Sequence, residues 1–410
     1  MGQNLPSPDI THRPTSLSTF KNWLVGTKNS SKSLARRHHA RCFWNLALHY
    51  LDMKRGFISN RLPLSILLSG ILVACFGLLA IFDASVIDAY RTFDDKFHYV
   101  KQQSLWLGLG ILVALITANI PISWLKKNSV ILYGFTLILM LIVLIPGLGT
   151  KLQGARRWLI FGPLIFQPSE LLKITLAIYL ARWLEQGREF KHFLGILALN
   201  LTLIMLQPDL GTAIITVGMA FMIYYLSGAK IKEIIAFSLI LLVAISGLIF
   251  ASPYRLTRVQ TFMDPTQDPL GASYHINQVL YGLGSGGLYG VGLGRSRQKY
   301  AYLPEATTDS IFVIIAEEFG FFGSTLLILL LVGLLTASLK VAKAVEDKFD
   351  KLLASGISLL FLIQILVNLS SMVALTPLTG VPLPFISYGG SSLVTNFIAL
   401  GLLINISKRA

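Results

Sequence analysis

Of the 410 residues, 54% are hydrophobic and 13% are charged, and the formal charge is +15. Soluble domains carry roughly 25% charged residues, so this chain cannot hydrate a soluble surface, and a bilayer takes the place of water as its main solvent. Two cysteines, Cys42 and Cys75, supply neither a disulfide framework nor a CxxC metal motif, and the seven histidines fall in no zinc-binding spacing.

The first 61 residues form a basic tail, with Arg36, Arg37, Arg41, Lys54, Arg55 and Arg61 among its cations. Residues 1–40 are expected to be disordered, and Phe43–Leu51 reads as a helix lying in the membrane interface. The first apolar run, Leu62–Phe82, is long enough to cross roughly 30 Å of hydrocarbon. It starts too late for a secretory signal, and no small-residue cleavage site follows it. Further runs at 102–119, 128–146, 171–184, 194–206, 210–227, 234–250, 310–339, 352–373 and 389–406 bring the total to about ten spans. The stretch Leu194–Leu226 is too long for one crossing and is broken at Gln207-Pro208-Asp209. The predicted fold is therefore an all-α polytopic membrane domain over residues 62–408, with a long outer loop, 251–309, between helices 7 and 8.

Placing the N-terminus in the cytoplasm puts 23 Lys and Arg inside and 11 outside, with Lys173 within a span. That is a strong positive-inside bias, and an even number of spans returns the C-terminus to the cytoplasm. This distribution assigns the basic charge to the membrane rather than to nucleic acid. The cations that defy the bias include Arg156 and Arg157 in outer loop 147–168, and Arg255, Arg258, Arg295, Arg297 and Lys299 in outer loop 251–309. They suit an anionic ligand such as phosphate, although long outer loops also tolerate charge freely.

Ionisable groups inside spans are costly and are functional candidates by default. Glu170 and Lys173 are three residues apart, so they share a helix face and can pair, either as a site or as a structural lock. Asp209 can cap the helix that follows its Pro break. Asp309 stands just before an apolar run and reads either as another N-cap or as a carboxylate kept ionised by the helix dipole. In the second case it could act as a general base or hold a divalent cation. Glu317 and Glu318 follow, and at least one must face the protein interior or a wet cavity. The glycine run from Gly282 to Gly294 is no Walker or Rossmann motif, since neither strand context nor lysine spacing fits. Pro382 to Gly390 reads as a kinked approach to the last span.

That last string, Pro-Leu-Pro-Phe-Ile-Ser-Tyr-Gly-Gly, resembles the signature of the FtsW/RodA/SpoVE family of shape, elongation, division and sporulation proteins. The resemblance extends to Gly154–Trp158, Gln167–Glu170, Gln207–Thr212 and Leu303–Ala306, in family order and across residues 62–408. It implies a peptidoglycan glycosyltransferase that polymerises lipid II at the outer face of the bacterial cytoplasmic membrane. The family's essential aspartate falls on Asp309. Arg156, Arg157, Glu170, Lys173, Asp209, Lys299, Glu305 and Ser387 become the expected substrate-binding set, with Mg or Mn as the expected cofactor. A class B penicillin-binding transpeptidase and other division proteins are the implied partners. Thr307 stands where the family usually has histidine, which removes that side chain from any direct role. The segment Gly290–Ser296 with Gln298-Lys299 is closer to the division branch than to the elongation branch. A lipid II flippase using the intramembrane charges, and a non-catalytic scaffold, are the rival readings.

Overall fold

The computed structural model describes residues 31–410 apart from 153, 163, 188, 251, 265, 267, 270 and 301, with residues 31–61 described by backbone alone. The chain divides into two units, 1–58 and 59–410. Of the first, the described backbone from Ser31 onward is helical. This corrects the expectation of disorder for residues 31–40, where Leu34, Ala35, Arg36 and Arg37 are good helix formers with no Gly or Pro among them. The expected disorder of residues 1–30 lies outside the described residues.

In chain order the elements are α1 (Ser31–Phe93), α2 (His98–Thr117), α3 (Ile122–Ile142), β1 (Gly149–Leu152), β2 (Ala155–Phe161), β3 (Leu164–Phe166), α4 (Pro168–Gln186), α5 (Phe190–Leu206), α6 (Leu210–Leu226), α7 (Ile231–Phe250), α8 (Pro253–Met263), α9 (Tyr274–Gly286), α10 (Ile311–Ala344), α11 (Lys348–Met372) and α12 (Gly390–Ser407). Among the described residues, six helices are long and apolar enough to cross a membrane: α1 over Leu62–Phe93, α2, α3, α10, α11 and α12. Helices α5 and α6 are shorter and apolar. Helices α4 and α7, of 19 and 20 residues, occupy the other two predicted span positions. The molecule is thus a mostly helical, polytopic membrane protein.

Three features depart from the predicted pattern. Segment 147–168 is a small antiparallel sheet of order β1-β2-β3 rather than plain loop. Its register pairs Thr150 with Trp158 and Ile160 with Ile165, β-branched and aromatic residues that suit a pleated surface. The long loop 251–309 carries α8 and α9. Pro253 begins α8 at a position where its missing N–H costs nothing. Helix α10 is broken at Gly320, whose backbone sits at φ 65°, ψ −159°.

That break explains the glycine run. Val291 and Gly292 donate backbone hydrogen bonds to the carbonyls of Glu317 and Glu318 at 3.0 and 3.1 Å, and Phe321 donates back to Gly287 at 2.9 Å. A Cβ on Gly290 would lie 2.0 Å from the Glu318 carbonyl oxygen, and one on Gly320 would lie 2.3 Å from the Gly290 nitrogen. Backbone therefore meets backbone where side chains cannot fit. Because Gly320 also occupies a region essentially closed to other residues, Gly320→Ala should cost at least about 2 kcal/mol. Thermal unfolding in detergent measures it.

Helices in lipid gain little from apolar burial, since acyl chains are as apolar as leucine, so packing and buried polar contacts set their arrangement. Asn405 on α12 donates to the Thr117 carbonyl of α2 at 2.9 Å. At one end of the bundle Lys126 pairs with Glu185 at 2.6 Å, Lys348 donates to the Glu185 carbonyl, and Arg409 pairs with Asp350 at 2.8 Å. The starts of α3 and α11 and the ends of α4 and α12 therefore lie together. The opposite end gathers the sheet, the start of α4, the end of α11 and the start of α12.

Candidate active site

The segment 379–387, between α11 and α12, is the hub of that opposite end. Gln364 of α11 donates to the Pro382 carbonyl at 3.0 Å. Asn368, one turn later, donates to the carbonyls of Val381 and Asp309 at 2.7 and 2.8 Å. Ser387 receives the Leu383 N–H and donates to the Thr308 carbonyl, and the Tyr388 N–H bonds the Thr307 carbonyl at 2.9 Å. A Cβ on Gly211, at the start of α6, would lie 2.9 Å from the Thr379 oxygen. The signature string is thus a brace that fixes the backbone of Thr307–Asp309 from three sides, which is Ser387's observed role.

Asp309 is buried, 7% exposed. It is not the predicted N-cap: Ser310 holds that position, with no side-chain cap bond. The Thr308 hydroxyl lies 3.3 Å from the Asp309 Oδ1. The dipole expected to keep it ionised is opposed by its surroundings. Burial first, then the neighbouring Glu305, push this carboxyl up to about 7, while Thr308 and Arg258 offset the rise only in part. A carboxyl that titrates near neutrality, spared from capping, is suited to take and release a proton.

Around it stand His275, which no motif marked, and Arg258, one of the expected outer-loop cations. His275 on α9 lies 2.9 Å through Nε2 from the Ser310 hydroxyl. Burial and Arg258 push its imidazole down to about 4, so it is neutral at physiological pH. Arg258 on α8 donates to the Leu378 carbonyl at 2.5 Å and acts electrostatically on both Asp309 and His275. His275 had no motif to mark it, because only the fold brings α9 against the start of α10. Glu305, with φ 52°, takes the Thr308 hydroxyl at 2.8 Å.

The other expected residues form separate clusters. Asp209 does cap α6, accepting from the Thr212 N–H at 3.0 Å and its hydroxyl at 2.8 Å. Arg157 of β2 lies 4.0 Å from Asp209 and donates to the carbonyls of Gln207 and Pro208, so it ties the sheet to the α5–α6 turn. Arg156 is part-exposed on the same strand. Lys173 is enclosed, with its Nζ 2.9 Å from Glu170 and 3.3 Å from Gln364. Lys299 is also buried, bonded to Glu318 at 2.8 Å and to Asp83 of α1 at 3.0 Å. Burial alone would push its ammonium down, but these carboxylates hold it above the usual range. Glu317 and Glu318 are both buried, accepting backbone N–H bonds from residues 294–298. Neither Lys173 nor Lys299 is brought beside Asp309 by any of these bonds.

Among the described residues, no group of three His, Cys, Asp or Glu could hold a metal. The Thr308 hydroxyl lies 2.8 Å from the Glu305 carboxylate and 3.3 Å from that of Asp309, and two carboxylates are the number Mg²⁺ commonly takes when substrate phosphates complete its shell.

The model for the cell cycle protein family FtsW/RodA/SpoVE matches residues 63–410. Stage V sporulation protein E of Bacillus subtilis is 38% identical over 346 residues, covering 82% of this chain and 94% of that protein. A protein named "Probable peptidoglycan glycosyltransferase FtsW" from a Geobacter species is 36% identical over 352 residues, 84% of this chain and 96% of its own. Among solved structures, one described as "Structural coordination of polymerization and crosslinking by a peptidoglycan synthase complex" aligns with a TM-score of 0.69 and 29% identity, covering 83% of this chain and 96% of its counterpart. The rod shape determining protein RodA of Thermus thermophilus aligns at 0.62 and 28% identity, covering 83% and 95%.

Proposed function

Because the chain belongs to the FtsW/RodA/SpoVE family, we propose that it is a peptidoglycan glycosyltransferase of the division type, polymerising lipid II at the outer face of the cytoplasmic membrane, with both termini in the cytoplasm. The observation that carries the reading is the braced, buried carboxyl of Asp309, poised near neutrality where the signature string meets the start of α10.

In this reading Asp309 accepts the proton of the acceptor sugar's 4-hydroxyl as that oxygen attacks the donor's anomeric carbon. The bond from that carbon to the lipid pyrophosphate breaks, and the pyrophosphate leaves with the electron pair. Attack from the opposite face inverts an α-linked donor to a β-linked strand. General-base assistance of this kind is worth about 10²–10⁴-fold. Arg258, beside Asp309, and Arg156, on the sheet, are the cations best placed to meet the phosphates. Lys173 and Lys299 act from within, holding α4 to α11 and the 294–299 segment to α1 and α10. A divalent cation, Mg or Mn, would be held by Glu305 and Asp309 and would offset the charge of the leaving pyrophosphate. A crosslinking class B transpeptidase and other division proteins are the proposed partners, in keeping with the synthase complex among the structural relatives.

The flippase reading needs charges lining a path for the headgroup. Glu170, Lys173, Asp209, Glu317 and Glu318 instead have hydrogen-bond partners within the bundle. The test supplies lipid II to the purified chain, with and without its transpeptidase, and resolves products on a glycan gel. Polymer from the parent and none from Asp309→Ala supports the assignment. Headgroup translocation in sealed vesicles without polymer overturns it.

A further inference from the structure

One hollow, lined in part by α9, has no part in the chemistry above. It holds about 380 Å³ and is lined by Gln278, Arg297, Gln298, Tyr300 and Tyr302. Tyr300 and Tyr302 are 51% and 56% exposed, and Arg297 is exposed as well. Gln298 is different: it is 7% exposed, and its Oε1 is buried with no hydrogen-bond partner among the described residues. A buried amide oxygen left unpaired is costly, and one lining a hollow points to a ligand that supplies the missing donor.

We propose that this hollow binds a stretch of glycan that carries a carboxylate, and so retains the growing strand beside the catalytic carboxyl. Two tyrosines offer apolar ring faces for the C–H faces of sugar rings, each with a polar tip for a hydroxyl. Gln278 and Gln298 supply amide donors and acceptors suited to hydroxyl and acetamido groups. A single arginine fits one carboxylate bidentately, as on a peptide stem, whereas a pyrophosphate would call for several cations. The volume lies near the lower end of the range typical of small-molecule sites, roughly 300–1,000 Å³.

The position favours the same occupant. Gln278 is three residues after His275 on α9, hence on a neighbouring part of one helix face. His275 in turn touches Ser310, next to Asp309. The wall is also preformed, because the backbone N–H groups of Ser296, Arg297 and Gln298 are pinned on the buried carboxylates of Glu317 and Glu318. Binding there requires little ordering of the protein.

The proposal rests on the glycosyltransferase reading but is tested apart from it. Full-length protein in lipid nanodiscs is titrated with a soluble tetrasaccharide bearing its peptide stems and no lipid. The parent should bind saturably, and Gln278→Ala with Arg297→Ala should weaken binding at least about tenfold, as expected for losing a charge-assisted pair. Arg297→Lys should retain part of the affinity, and a glycan gel should show strands several-fold shorter for the double variant. Asp309→Ala should keep the tetrasaccharide affinity while losing polymer, so loss of catalysis and loss of this site are distinguishable. Unchanged affinity in the folded double variant would overturn the proposal. So would displacement of the probe by anionic lipid alone, which would make the tyrosines part of a membrane-interface belt.

Discussion

Glycan polymerisation by the purified chain should climb as pH rises from roughly 6 to 8 and level off above that, because a general base works only as its ionised form. The limb is set by Asp309, whose carboxyl is pushed up to about 7 by burial and then by Glu305. Removing the second cause gives the sharper test. Glu305→Gln should move the limb toward acid by roughly half a pH unit, while its plateau rate falls with the loss of one proposed cation ligand. Asp309→Asn should lower the rate at least about a hundredfold at every pH. The same shift has a stability consequence with a definite sign. A carboxyl that titrates near 3.8 when unfolded and near 7 when folded favours the folded state below 3.8 and loses that contribution as pH rises through 7. At about pH 8 the parent therefore holds an unfavourable buried charge that Asp309→Asn lacks, and the inactive variant should unfold at the higher temperature. Adding Mg²⁺ should shift the limb further toward acid if a cation sits on this carboxylate, since nearby positive charge favours ionisation. A rate independent of pH over this range, or an Asp309→Asn chain no more stable than its parent at pH 8, would remove Asp309 from the role of base.

The apolar runs were legible because a bilayer imposes a length and a hydropathy on each crossing, and α1, α2, α3, α10, α11 and α12 meet that demand. What lay between the runs was much less so. The sheet at 149–166 consists of strands of four, seven and three residues, too short for an alternating pattern to stand out. The break at Gly320 was hidden inside an apolar stretch, because its reason lies in the distant loop around Gly290. For the site, Asp309, Glu305 and Ser387 sit in motifs and could be named in advance. Their relation could not: Ser387 lies 79 positions from the Thr308 carbonyl it holds. His275 was invisible as a site residue for the same reason, and Arg258 could be named only as one outer-loop cation among several, since each owes its place to long-range packing. Charge counting overstated the exposed cations. Lys299 looked like an outer-loop anion binder, yet it is enclosed by Asp83 and Glu318, and Asp83 belongs to the first span.

Lys173→Met should destabilise the protein by roughly 3–5 kcal/mol, because it leaves Glu170 as a buried carboxylate without its cation. The environment is already demanding: Lys173 is 1% exposed, and the Glu170 Oε2 has no hydrogen-bond partner among the described residues. Combining Lys173→Met with Glu170→Gln removes both charges, and that double variant should return to within about 1 kcal/mol of the parent. Activity should follow stability, for a geometric reason. The Lys173 Nζ also touches Gln364 on α11, and the amide nitrogen of Gln364 holds the Pro382 carbonyl in the segment that braces Asp309. Losing one charge of the pair lets α4 and α11 shift against each other and loosens that brace, whereas losing both leaves a neutral contact in the same place. Unfolding temperature and glycan yield, measured on the two single variants and the double, separate the possibilities. Recovery of both in the double variant identifies the pair as a lock between helices. Recovery of stability with polymerisation still absent would return Lys173 to contact with the substrate's phosphates, and the route by which a headgroup reaches so enclosed an ammonium would then have to be a movement of α4 against α11.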